Sequence, residues 1–140
     1  MNYLLVFITC LFFNTSTETH DLSITIDNIE HIGGSIEIGL FNNGEKFLEE
    51  GEAYRSISVN VQKSSEKVII KNLPKGTYAI SLYHDKNSNG KCDRNFFGIP
   101  KEPYAFSNNF RPKLSAPTFK DCEFTLTSDH TLKIDLLNQS

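Results

Sequence analysis

Beyond residue 20 the apolar positions recur every second residue. "LSITIDNI" sets Leu22, Ile24 and Ile26 against Ser23, Thr25 and Asp27, and "GSIEIGLF" does the same with Ile36, Ile38 and Leu40. "SISVNV" contributes Ile57, Val59 and Val61, "KVIIKNL" contributes Val68 and Ile70, and "TYAISLYH" aligns Tyr78, Ile80 and Leu82. Near the end, "CEFTLTS" offers Phe124 and Leu126, and "TLKIDLL" offers Leu132, Ile134 and Leu136. A period of two places alternate side chains on opposite faces of a strand, so each run predicts a half-buried strand. The breaks between them, "HIGG", "KSSEK", "LPKG" and "TSDH", are built from turn formers. Seven short strands punctuated in this way predict an all-β fold, an antiparallel seven-stranded Ig-like sandwich in one domain over residues 21–140.

Two stretches depart from the pattern. "NNGEKFLEEGEAYR", residues 42–55, has room for one helical turn and is expected to cross between sheets with Phe47 and Leu48 tucked under an edge. Residues 85–121 hold no convincing strand, and a connection that long inside a compact domain is usually functional. It carries Phe96, Phe97, Tyr104, Phe106, Phe110 and Phe119, four prolines, and seven of the chain's fourteen basic residues. Aromatic content of that kind predicts an ordered loop, packed on itself or across one end of the sandwich.

The loop opens with the most specific chemistry in the chain, "HDKNSNGKCD". Asp85, Asn87 and Asn89 alternate, Gly90 follows, the carbonyl of Lys91 comes next, and Asp93 closes the run. Calcium takes six to eight hard oxygen ligands on a tightly curved backbone, and this spacing matches positions 1, 3, 5, 6, 7 and 9 of an EF-hand loop. The back half fails, because Phe96 stands where the bidentate glutamate belongs and no amphipathic helix flanks the run. A calcium site here would borrow its remaining carboxylate from Glu102 or Asp121 and bind in the weak range of extracellular modules. The same residues also suit an Asx-rich turn with no ion, and Lys86 and Lys91 bring unhelpful positive charge.

The N-terminal run "YLLVFITCLFF" fits the apolar core of a signal peptide and is too short to span a bilayer as a helix. A leader over residues 1–20, with cleavage near Ser16, implies a secreted or periplasmic protein. Cys10, preceded by Thr9 inside the run, is a poor lipidation site. No later stretch reaches membrane-spanning length, and a net charge of −3 gives no general affinity for nucleic acid. Without the leader two cysteines remain, Cys92 and Cys122. An even count in an exported chain predicts a disulfide, whose loop of about 30 residues would contribute about 3–4 kcal/mol.

"LPKGTYAISLYHD" followed by "YHDKNSNGKCDRNFFGIPKEPYAFSNN", with "GGSIEIGLFNNGEKFL" before and "APTFKDCEFTL" after, closely resembles the bacterial family DUF2141 over nearly all of the expected mature chain. The resemblance implies an exported domain with a β-sandwich like that of transthyretin, and no activity. Cys92 and Cys122 stand where ordinary apolar residues are expected in that family, which favours their pairing.

Three functional classes follow. An enzyme would have to assemble His84 and Asp85 with Ser107, as in a small-molecule hydrolase of the transthyretin-like group, yet no nucleophile elbow is present. A second metal chemistry would need His20, His31 or His130 to converge on His84, and their spacing does not call for it. A binding module would use Phe96, Phe97, Tyr104, Phe106, Asn108 and Phe110 beside Arg94 and Arg111, a mixture suited to glycans and anionic polymers. A structural module would recruit an envelope protein by strand addition along "SISVNV". The favoured reading is a non-catalytic exported module with a calcium-stabilised loop and a cell-surface or envelope partner.

Overall fold

The computed structural model describes residues 12–92 and 100–138. Its strands are β1 (Thr19–Asp27), β2 (Ser35–Phe41), β3 (Arg55–Asn60), β4 (Glu66–Pro74), β5 (Gly76–Asp85), β6 (Tyr104–Phe106), β7 (Phe124–Leu126) and β8 (His130–Asp135). They form a three-stranded sheet in the order β4-β1-β8 and a second sheet in the order β3-β2-β5-β6, with β7 also paired to β5. The alternating residues do what their period dictates. Leu22, Ile24, Ile26, Ile36, Ile38, Leu40, Ile80, Leu82 and Ile134 are all essentially sealed from solvent in one shared core. Burying a side chain of this kind contributes roughly 1.5–3 kcal/mol, which makes this core the main stabilising term.

Three features differ from the sequence pattern. There are eight strands among the described residues rather than seven, because β6 is only three residues long and too short to show a period. The sheets are not wholly antiparallel, since β8 lies parallel to β1 with Leu22 opposite His130 and Ile26 opposite Ile134. The preceding chain has already travelled around the larger sheet and re-enters beside β1 at the same end, so parallel pairing is the available register. Residues 42–55 join β2 to β3, which are neighbours in one sheet, so this stretch is not a crossover between sheets. It does contain a 3-10 turn at Gly44–Lys46, and Phe47 is buried as expected.

The described C-terminal part of the long loop is folded back over the outer face of the larger sheet. Phe41, Phe47, Ala79, Phe106 and Cys122 form a second core there, with Leu48, Tyr104, Phe110 and Phe119 packed around it. Edge-to-face contacts join Phe41 to Phe47 at 5.3 Å and Phe47 to Phe119 at 5.9 Å. The short helix α1 (Phe119–Cys122) carries the last of these residues and starts in a capping box between Thr118 and Asp121. Ser107 ties the layers together: its hydroxyl accepts from the Ile80 N–H at 2.9 Å and donates to the Cys122 carbonyl.

One ion pair spans the smaller sheet. Asp27 accepts from the Ser65 hydroxyl and pairs with Lys133 at 3.3 Å. The hydrogen bond from Ser65 lowers the Asp27 pKa below its usual 3.8 against the opposing effect of burial, with Lys133 adding to the lowering. A carboxyl held low in the folded state stabilises fully above its unfolded value, and the contribution is lost as pH falls through the folded value. Asp27→Asn is therefore expected to flatten the stability profile below about pH 4, measured by urea unfolding at a series of pH values. An unchanged acid limb would remove Asp27 from the account.

Candidate functional site at the base of the long loop

The end of β5 delivers Asp85 into the interior of the turn that follows it. Its side chain is only 2% exposed. One carboxylate oxygen accepts from the Asn89 N–H at 3.2 Å and the other from the Gly90 N–H at 2.8 Å. Asn87 Oδ1 accepts from the Asn89 N–H at 3.3 Å, and Asn89 Oδ1 accepts from the Lys91 N–H at 3.0 Å. These nested Asx contacts coil residues 85–91 around their own oxygens. Gly90 takes φ +74°, the left-handed conformation that a side chain disfavours.

The other wall comes from the far side of the loop. Glu102 is 4% exposed, and its Oε1 accepts from the Lys86 N–H at 3.2 Å. Asp85 and Glu102 are thus two carboxylates buried at the loop base, bonded to different N–H groups of the same turn. Their charge is felt nearby. Burial, with added repulsion from Glu37, Asp85, Cys92 and Glu102, pushes the Tyr83 hydroxyl up to about 12. The structure brings together Asp85, Asn87, Asn89, Lys91 and Glu102, whereas Asp121 caps α1 through Thr118. Asp93, Phe96 and Phe97 lie outside the described residues.

Among the described residues, the candidate ligand-binding aromatics do not line up as a platform. Phe106 is 8% exposed within the second core, Tyr104 meets it edge-on at 5.8 Å, and Phe110 is half-buried against the same cluster. Asn108 adopts φ +62° and donates its amide to the Glu123 carbonyl at 2.8 Å, a turn-fixing role. Composition names these four residues but does not say which surface they cover.

The triad considered for His84 is not assembled. Ser107 bonds at Ile80, four residues along β5 from His84, or about 13 Å at the strand rise. His84 is fully buried, and its Nε2–H donates to the Gly33 carbonyl at 2.7 Å. Its neighbour is instead His31, with ring centroids 5.8 Å apart. That approach was not legible beforehand, because it depends on how the β1–β2 turn folds over the end of β5.

The expected Cys92–Cys122 disulfide is corrected by the structure, which forms no such bond. Cys122 is buried in the second core with Ala79, and Cys92 is half-buried. Burial pushes the Cys122 thiol up to about 12. The thiolate is the reactive form, so Cys122 is expected to stay unlabelled by iodoacetamide at pH 8 in the native protein and to label in denaturant. Peptide mapping by mass spectrometry checks this, and rapid native labelling would contradict the buried placement.

A two-sheet β module with an Asx-rich loop at one end is the class these features define. The family model for "Uncharacterized protein conserved in bacteria (DUF2141)" matches residues 24–134, and the chain belongs to that family. No curated protein and no solved structure matches it.

Proposed function

We propose that this chain is an exported, non-catalytic β-sandwich module whose Asp85–Asp93 loop holds a calcium ion and which engages a cell-surface or envelope partner, glycan or protein. The observation that carries the calcium reading is the burial of two carboxylates, Asp85 on the tightly curved turn and Glu102 from the far side of the loop, both bonded to N–H groups of that turn. Anionic oxygens at such depth are costly to desolvate, and a cation between them offsets that cost. Asp85 through one carboxylate oxygen, the Asn87 and Asn89 side-chain oxygens, the Lys91 carbonyl, Asp93 and Glu102 would supply the hard oxygen donors that calcium requires. The ion would brace the loop base and with it the attached second core, a scaffolding role rather than a reactive one.

The non-catalytic reading is supported by the separation of Ser107 from His84 and by the use of both side chains in internal hydrogen bonds. For a protein partner, β3 offers a strand at the end of its sheet order, with Ser56, Ser58 and Asn60 exposed along it. Export rests on the N-terminal apolar run. The deciding experiment follows melting temperature in chelator and in 10 mM calcium. Stabilisation by calcium and not by magnesium supports the reading, and identical curves in all three solutions dispose of it.

A further inference from the structure

Beside the loop base, on the side of the β1–β2 turn, lies an open depression of about 150 Å³ lined by Glu30, His31, Lys86, Lys101, Pro103 and Asn138. These residues come from four separate parts of the chain, and each part is pinned. The turn is held by the His84 Nε2–H on the Gly33 carbonyl and by the Asn138 amide on the Asn28 carbonyl at 3.0 Å. The segment carrying Lys101 and Pro103 is held by the His84 N–H on the Pro103 carbonyl at 2.8 Å. Lys86 is fixed through its own N–H on Glu102. His84 therefore organises two of the walls, and its ring supports His31 at the rim.

The charge is equally specific. Two lysines face the depression with a single glutamate, and His31 and one remaining Asn138 N–H add hydrogen-bond capacity. The Asp85 and Glu102 carboxylates accept from the N–H groups of Asn89, Gly90 and Lys86 on the loop side of the depression. The volume is below the roughly 300 Å³ of a drug-sized site and well above the roughly 30 Å³ share of one water. It suits one compact polar group.

We propose that this depression is an anion site for a phosphate-type dianion, either free or as the terminal group of a larger molecule, held between the Lys86 and Lys101 ammonium groups. Fixed walls let the lysines meet the dianion with charge-assisted hydrogen bonds that neutral donors do not match. The site does not depend on bound calcium, and it is tested with calcium removed so that the two readings stand or fall separately.

The experiment titrates inorganic phosphate into the chelator-treated chain at low ionic strength, following backbone amides by NMR. Saturable shifts are expected at His31, Lys86 and Lys101, and absent at Lys75 on the β4–β5 turn at the opposite end of β5. Lys86→Gln and Lys101→Gln are each expected to weaken binding about tenfold and Lys75→Gln to leave it unchanged. Both target residues are exposed. A parallel titration with glycerol phosphate separates the sources. Comparable or tighter binding marks a terminal phosphoryl group as the ligand, and binding of inorganic phosphate alone marks the free anion. Shifts that never saturate, that spread equally to Lys75, or that survive in the double variant Lys86→Gln/Lys101→Gln would overturn the proposal.

Discussion

Gly34→Ala is expected to lower the melting temperature by about 10 °C, the larger of the two stability effects that the loop base predicts. Gly34 takes φ +64°, and a Cβ built on it would stand 2.2 Å from the Asp85 carbonyl oxygen and 3.0 Å from the Lys86 Cα. Both obstacles are backbone, so no side chain can swing aside. The left-handed conformation alone disfavours alanine by roughly 1–2 kcal/mol, and forcing strands apart in a packed site adds roughly 1–3 kcal/mol. Gly51 separates the two contributions, because it has φ +77° with nothing within 4 Å of its Cβ position. Gly51→Ala should therefore lose only the conformational part, measured by the same thermal melts. Equal losses at the two positions would mean that the close approach between the β1–β2 turn and β5 is not felt.

That approach also marks where sequence reasoning stopped. The core strands were legible because one face of each is buried, which forces a period of two on residues such as Ile24, Ile38 and Ile80. No such signal exists for β6, where Tyr104 and Phe106 point into the second core and Ala105 into the first over only three residues. The parallel seating of β8 against β1 is a property of the path between them, not of either strand's own residues. The aromatics of the long loop predicted packing, but composition does not say which surface they cover. The cysteine count pointed to a bond that the structure does not form, since pairing depends on distance and parity carries none. In the site, Asp85, Asn87, Asn89 and Gly90 were readable because an Asx turn is local: donor and acceptor lie within five residues. Glu102 was only one of two candidates by sequence. The depression around Lys86 and Lys101 was not visible at all, since it is assembled by His84 from segments that only the fold brings together.

The second large effect is expected at Asp85, where stability and ion binding separate. At a dissociation constant of about 0.1–1 mM, 10 mM calcium stabilises the folded chain by about 1.4–2.7 kcal/mol through mass action. Asp85→Ala should abolish that response, and it should also destabilise the protein in chelator by about 1–3 kcal/mol, because the Asn89 and Gly90 N–H groups lose their acceptor. Asp85→Asn keeps a side-chain oxygen for one of those N–H groups while removing the charge. It is therefore expected to be much less destabilised in chelator and yet equally unresponsive to calcium. A plain Asx turn makes a different forecast: wild type and Asp85→Asn would both melt at temperatures independent of calcium, with Asp85→Ala alone displaced. The asparagine variant thus distinguishes a carboxylate held in place to shape a turn from one held there to meet an ion. If wild type gains several degrees in calcium and Asp85→Asn gains none, the buried charge at the end of β5 serves the cation.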